Sequence, residues 1–231
     1  MRAEESPVVP ADHVLVGPRT VLFDFDGVLS HGDAFYLFIR ERYRRSWWRM
    51  PLALLALPWL VILLLVRRRL PRRSLVHIAL LGLGERRYRL AAERFADHLA
   101  RRPRQFLRDG LLALRRHHAA GDRVLVVTGC EQVLVTRLLA QLGLPELEIV
   151  ASQMRPGWIG MRLQQHNLGA RKLQRLQALG LTGWDVAYTD SDHDVPMLRP
   201  AREAVLVNAT PAQCKKVERA LGRAATRVEW Y

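Results

Sequence analysis

Five short apolar runs, each closing on polar residues, recur along the chain: Thr20 to Phe25 (TVLFDF), Arg123 to Gly129 (RVLVVTG), Glu148 to Ser152 (EIVAS), Trp184 to Asp190 (WDVAYTD) and Glu203 to Asn208 (EAVLVN). Brief runs rich in β-branched and aliphatic residues read as buried strands. Helical patterns lie between them, at Glu131 to Leu142, Ala170 to Leu179 and Pro211 to Leu221. Strands alternating with helices predict a parallel sheet covered on both faces, a three-layer α/β/α arrangement. In such sheets ligands bind at the carboxyl ends of the strands, which is where the polar residues of each run fall.

From residue 31 to about 104 this alternation stops and only helical patterns appear, so the first strand and the rest of the sheet (1–30 and 105–231) form one core and 31–104 an inserted, all-helical cap. The cap opens with an amphipathic stretch from Asp33 to Trp48. A 17-residue uncharged run follows, Met50 to Val66 (MPLALLALPWLVILLLV), flanked by five arginines on each side. A second apolar run, Leu75 to Gly84, and a polar helix from Glu85 to Arg102 complete it. The formal net charge of the 231 residues is +14, and the insert alone carries seventeen arginines against five acids. A charge this lopsided implies a polyanionic partner. Seventeen helical residues span about 26 Å, short of the roughly 30 Å hydrocarbon thickness, and Pro58 interrupts them. Arginine on both flanks also conflicts with a single crossing. If acids before and after the insert meet in one site, the chain must return to the side it left. The expectation is therefore a kinked or re-entrant hairpin (50–66, with 75–84 as a second contributor) resting in one leaflet of an anionic membrane, with Trp47, Trp48 and Trp59 at the interface. The competing reading makes the run the buried centre of a soluble cap. The aromatics do not interleave with the basic residues as on a stacking platform, so nucleic acid is not an expected partner. The first 18 residues read as a loose arm, and two unpaired cysteines, Cys130 and Cys214, suit a reducing compartment.

The polar strand ends carry the chemistry. Asp24 and Asp26 follow the first strand two residues apart, so an extended backbone points both to one face, and two carboxylates there can divide the work of nucleophile and general acid/base. A second acidic group, Asp190, Asp192 and Asp194, follows the WDVAYT strand and offers oxygen ligands suited to Mg²⁺. Thr128 ends the RVLVVTG strand before a helix, a place for a phosphate seat. Lys172 is one of three lysines among 36 basic residues and lies near the start of a helix, where a compact ammonium has a specific use. His117 and His118 read as the polar face of a helix end.

In their order, DFDGVLS, VVTG, the Lys172 helix and TDSDHD resemble the four motifs of the haloacid dehalogenase-like phosphohydrolases, over essentially the whole chain. That family's fold is a Rossmann-like three-layer sandwich, and a helical insert directly after the first motif resembles the cap of its phosphoserine-phosphatase-like branch. The resemblance implies Asp24 as nucleophile, Asp26 as general acid/base, Thr128 and Lys172 as phosphate-binding residues, and Mg²⁺ held by Asp24, the carbonyl of Asp26, Asp190 and Asp194. Asp33 matches an acidic cap residue that reads substrate in phosphoserine phosphatases, and here it either meets substrate hydroxyls or caps a helix. His193 stands where an amide is common, and either contacts phosphate or is a solvated loop histidine. The arginine-flanked apolar run, IVASQMRPGWIG and YTDSDHDVPML are similar to the phosphatidylglycerophosphatases of this branch. They imply a phospholipid headgroup phosphate as substrate and a place on the cytoplasmic face of a bacterial inner membrane. The alternatives are a phosphatase for a small soluble metabolite such as phosphoserine, and an inactive membrane-bound scaffold.

Overall fold

The computed structural model describes residues 18–46, 48–59, 61 and 70–231. The arm expected before residue 18 and residues 60 and 62–66 of the apolar run lie outside them, as does Trp47. Among the described residues seven strands form one sheet in the order β4-β3-β2-β1-β5-β6-β7. They are β1 (Thr20–Phe23), β2 (Arg123–Glu131), β3 (Glu148–Gly157), β4 (Gly160–Gln165), β5 (Trp184–Thr189), β6 (Ala201–Val207) and β7 (Thr226–Val228). Every neighbouring pair is parallel except β3 and β4, which form an antiparallel hairpin. The parallel α/β fold is thus the one the alternation predicts.

Helices cover both faces because the central strands are apolar on both. Val21 and Phe23 of β1, Val124 and Val126 of β2, and Val205 and Val207 of β6 enter one buried cluster. Their alternate neighbours Leu22, Leu125, Val127, Ala204 and Leu206 enter the other. This is the period of two of a strand, used twice. The helices of the core are α5 (Arg108–Ala119), α6 (Gln132–Gln141), α7 (Ala170–Ala178), the single turn α8 (Val195–Leu198) and α9 (Pro211–Leu221).

Between β1 and α5 the cap contributes α1 (Ala34–Arg44), α2 (Arg49–Leu55), α3 (Leu70–Ala79) and α4 (Glu85–Ala100). Phe38 of α1 packs against Tyr88 and Phe95 of α4 at ring-centroid distances of 6.0 and 5.4 Å. Ala79, Leu80 and Leu83, from the second apolar run, are buried in the same cluster as the sheet's Val21 and Phe23. Cap and core thus share one hydrophobic interior. The first apolar run behaves differently: Met50, Leu54, Leu55, Leu57, Trp59 and Val61 are all exposed. Among the described residues no helix is long and apolar enough to cross a membrane.

Three local features depart from the sequence reading. The EIVAS strand runs on past Ser152 and turns back as β4, its turn closed by Gly157 opposite Gly160. Gly160 has φ +148°, and a Cβ there would lie 2.3 Å from the Leu80 carbonyl oxygen, so the hairpin tip sits directly on the cap backbone. The short β7 pairs with the edge of β6. His117 is not simply part of a polar face: its ring bonds the Asp122 carboxylate at 2.7 Å and the Tyr188 hydroxyl at 3.2 Å, tying α5 to β5.

Candidate active site

At the carboxyl edge of the sheet, β1 ends at Phe23 and delivers Asp24 beside β5, where its backbone N–H donates to the Tyr188 carbonyl at 2.9 Å. Phe25 turns inward and is fully buried, anchoring the bend. Gly27 then takes φ +78°, a conformation in which a side chain is strained, and its N–H donates to the Ser30 carbonyl at 2.8 Å. This tight loop keeps both aspartates at the edge and returns the chain toward the cap.

Lys172 reaches this edge from α7. Its ammonium, fully buried, donates to Asp24 Oδ2 at 2.7 Å and to Asp194 Oδ2 at 2.6 Å. Thr189 Oγ1 donates to the same Asp194 oxygen at 2.9 Å. Asp24 Oδ1 accepts from the Phe25 N–H at 2.7 Å. Burial would lower the lysine's pKa, but the two carboxylates outweigh it and hold the ammonium well above the ordinary lysine value. Asp194 lies below the usual carboxylate range because Lys172 and its hydrogen bonds overcome burial. Asp24, sharing the same ammonium, is pushed up by burial in spite of it.

Asp26 and Asp190 complete the acidic group. The cap's Ala34 N–H donates to Asp26 Oδ1 at 2.9 Å. Burial first, then the charge of Asp33, pushes Asp26 up to about 7. The Asp190 carboxylate lies against the Gly27 backbone, so close that a Cβ on Gly27 would sit 2.0 Å from Asp190 Oδ2. Burial, then Asp194, pushes Asp190 up to about 6. Two carboxylates thus hold the one ammonium directly, and Asp26 and Asp190 lie within reach of its charge. That excess of buried negative charge, made entirely of hard oxygen donors, fits a divalent cation such as Mg²⁺. Among the described residues no three His, Cys, Asp or Glu side chains are grouped so as to hold a metal by themselves. A cation here would complete its shell with carbonyl oxygen, water or phosphate, the usual habit of Mg²⁺.

Thr128 lies on the neighbouring strand. Phe23 is level with Val126, which brings the fully buried Thr128 to the same edge as Asp24. Its Oγ1 accepts from the Cys130 N–H at 2.9 Å. Two residues fix this segment: Ser152, seen in the sequence only as a polar strand end, and Asn167, which carried no signal there. Asn167 donates through Nδ2 to the carbonyls of Thr128 (3.1 Å) and Val150 (2.7 Å), and Ser152 Oγ donates to the Gly129 carbonyl at 2.7 Å. The Asn167 N–H in turn donates to Ser152 Oγ at 2.9 Å, so the Thr128–Gly129 turn is held from behind by fully buried groups. Thr189 was legible only as part of a strand end, and its bond to Asp194 depends on the turn that follows.

The other sequence candidates lie outside this group. Asp33 caps α1, Oδ1 accepting from the Tyr36 N–H at 2.8 Å. His193 is exposed in the middle of the Asp192–Asp194 turn, its N–H donating to Ser191 Oγ at 3.2 Å. Asp192 pairs with Lys216 at the surface.

A family model described as haloacid dehalogenase-like hydrolase matches residues 21–199. Among solved structures, a protein of unknown function from Bordetella pertussis Tohama I is 19% identical, with a TM-score of 0.67 over 91% of this chain and 99% of that one. A HAD family hydrolase from Salmonella enterica serovar Typhi is 15% identical, with a TM-score of 0.62 over 93% of this chain and 70% of that one. A substrate-bound phosphoserine phosphatase is 15% identical, with a TM-score of 0.56 over 92% and 93%. At these identities the structural likeness is one of fold.

Proposed function

From the premise that the chain belongs to the haloacid dehalogenase-like hydrolase family, we propose that it is a Mg²⁺-dependent phosphomonoesterase working through an aspartyl-phosphate on Asp24. The observation that carries this reading is the Lys172 ammonium bridging Asp24 and Asp194 at 2.7 and 2.6 Å, at the strand edge where Thr128 also lies. Asp24 attacks phosphorus, and the ester P–O bond breaks. Asp26, whose pKa near 7 leaves it partly protonated at neutral pH, gives its proton to the departing alkoxide. The Asp26 carboxylate so formed takes a proton from water, and the hydroxide attacks the phosphoryl group, returning free Asp24 and inorganic phosphate. Lys172 and the Thr128 hydroxyl hold phosphoryl oxygens throughout, since positioning and charge neutralisation supply most of the catalysis in phosphoryl transfer. Asp24, Asp190, the carbonyl of Asp26 and, directly or through water, Asp194 would hold Mg²⁺. The cation supplies Lewis-acid neutralisation of the phosphoryl charge. Asp24→Asn should abolish turnover with the melting temperature retained, and a wild-type rate would remove Asp24 as nucleophile.

For the substrate we propose a phospholipid headgroup phosphate, with phosphatidylglycerophosphate converted to phosphatidylglycerol at an anionic membrane surface. Support comes from the insert: seventeen arginines against five acids, around an apolar run whose described residues are solvent-exposed. A second reading, a small soluble metabolite such as phosphoserine, is favoured by the cap's share in the buried core and by the fold likeness to phosphoserine phosphatases. A kcat/KM panel of phosphatidylglycerophosphate, phosphatidic acid, lysophosphatidic acid and phosphoserine separates them. Phosphoserine ranking first would overturn the lipid reading.

A further inference from the structure

The tip of the β3–β4 hairpin carries Trp158, completely exposed at 103%, and Ile159 at 62%. Their exposure is not that of a loose loop. Gly157 pairs with Gly160, Leu81 bridges Gly160, and the Gly82 N–H donates to the Ile159 carbonyl at 2.8 Å. The backbone of the tip is thus fixed to the cap while its two large apolar side chains face outward. On the other side of Leu81, its carbonyl accepts from Arg49 Nη2 at 3.1 Å. Arg49 starts α2 with its guanidinium 4.7 Å over the Trp48 ring, and from there the exposed residues Met50, Leu54, Leu55 (79%) and Trp59 continue. One short segment, Leu81–Gly82, therefore joins two apolar projections into one surface. Exposed apolar patches that are held in place rather than collapsed mark interaction sites.

The charge beside this surface selects its partner. Arg40, Arg42, Arg44, Arg45 and Arg49 lie along α1 and the start of α2, and the one acid among them, Glu41, is taken by Arg45 at 2.7 Å. Arg40 and Arg44 are exposed there and pair with no acid among the described residues, so the surface offers unneutralised guanidinium groups beside a rim of tryptophan, isoleucine and leucine. This combination matches the boundary between anionic headgroups and acyl chains, where tryptophan settles and arginine meets phosphate. We propose that the β3–β4 tip and α2 form a single docking surface for an anionic phospholipid bilayer, with Trp158 and Ile159 as anchors contributed by the catalytic core rather than by the cap. β3 leaves the sheet at its carboxyl edge, so the anchors rise from the edge that holds Asp24. Core and cap would thus both rest on the membrane, fixing the orientation of the site toward it.

The inference rests on the reading of the cap as membrane-facing and is tested apart from the choice of substrate. The full-length chain is sedimented with vesicles of phosphatidylcholine alone and of phosphatidylcholine with phosphatidylglycerol, and p-nitrophenyl phosphate hydrolysis is measured in parallel. Wild type should prefer the anionic vesicles. Trp158→Ser with Ile159→Ser should weaken that partition by about tenfold or more, since two large apolar side chains leave the bilayer, with hydrolysis unchanged. Bromolipid quenching of tryptophan emission should fall in Trp158→Phe, which reads the contact even if other segments hold the chain on the vesicle. Equal partition and equal quenching in the variants would overturn the proposal, as would equal binding of neutral and anionic vesicles. A dimer in light scattering that the double variant dissolves, without any change in vesicle binding, would assign the surface to a second copy of the chain instead. A failed lipid ranking in the kcat/KM panel would remove the substrate reading and leave this result standing.

Discussion

Gly27→Ala moves one carboxylate of the site without altering any charge. The new Cβ would lie 2.0 Å from Asp190 Oδ2, 2.3 Å from Asp190 Cγ and 3.0 Å from Asp190 Cβ, whereas ordinary contact begins near 3.4 Å. The carboxylate oxygen must therefore retreat by about 1.4 Å, the difference between 3.4 and 2.0 Å. Misplacement of about 1 Å in a positioned site costs on the order of 100-fold in rate. A displaced ligand should also raise the Mg²⁺ concentration for half-maximal activity by about 10- to 100-fold. Alanine at φ +78° adds a backbone cost of about 1–2 kcal/mol, worth roughly 2–8 °C in melting temperature for a chain of this size. Gly32→Ala is the control: Gly32 has φ +70° and nothing within 4 Å of its would-be Cβ, so it carries the same backbone cost and leaves Asp190 alone. Steady-state hydrolysis of p-nitrophenyl phosphate across a Mg²⁺ titration, with melting curves for both variants, separates the two effects. The reasoning is refuted if Gly27→Ala loses stability but keeps the rate and Mg²⁺ dependence of Gly32→Ala.

Lys172→Arg should not rescue what Lys172→Met loses, because the ammonium is fully enclosed with two oxygens at 2.6 and 2.7 Å and a planar guanidinium has no room there. Both variants should lose about 100-fold or more in kcat/KM, and Lys172→Met should also be destabilised by about 3 kcal/mol, having left two carboxylates facing each other. If Asp26, pushed up to about 7, is the general acid as proposed, kcat/KM should decline above neutral pH, where it has lost its proton. Asp33→Asn keeps an acceptor for the α1 cap but removes a charge that raises Asp26, so this decline should begin at lower pH; an unmoved profile counts against Asp26 as the acid. Asp26 and Asp190 have folded values of about 7 and 6 against 3.8 unperturbed, so the folded state holds more protons than the unfolded one between those limits. Stability from this pair is full below about 3.8 and is lost progressively as pH rises from there to 6 for Asp190 and 7 for Asp26. Millimolar Mg²⁺ should therefore raise the melting temperature more at pH 8 than at pH 5, and an equal gain at both would argue against these carboxylates as the metal's seat.

The parts of the site that were legible in the sequence are those that a strand end delivers directly. Asp24, Thr128 and Asp190 each follow a short apolar run, and a parallel sheet aligns such ends at one edge whatever the loops do. Lys172 was legible by composition, as one of three lysines among 36 basic residues. Asn167 and Ser152 were not, because their role lies in bonds to backbone carbonyls on another segment, and neither periodicity nor spacing encodes such bonds. The β3–β4 hairpin was hidden for a related reason. Its strands carry Arg155, Pro156 and Arg162, which break the apolar pattern, and its turn depends on Gly160 meeting the Leu80 carbonyl from the cap. The amphipathic and apolar stretches of the cap gave its helices, but pattern alone does not distinguish an apolar run that packs inward, as at Ala79, Leu80 and Leu83, from one that stays outside, as at Leu54 and Leu55.

The point of insertion explains why a cap of this kind can control the chemistry. The DFDG loop leads into α1 within a few residues, and the first helical N–H of the cap, that of Ala34, is the donor to Asp26 Oδ1. The residue before it, Asp33, caps the helix and also raises the Asp26 pKa by its charge. Any tilt of α1 that lengthens the 2.9 Å bond from Ala34 removes a donor that stabilises the Asp26 carboxylate, and raises its pKa further. Asp26, the proposed general acid/base, is therefore coupled to the cap through one hydrogen bond and one charge. A substrate or surface that seats α1 more firmly would strengthen the donor and favour the carboxylate form, which is the form the water-activating step requires. On these grounds cap position should bear on both proposed steps in opposite senses, favouring hydrolysis of the aspartyl-phosphate while leaving less of the acid form needed for its formation.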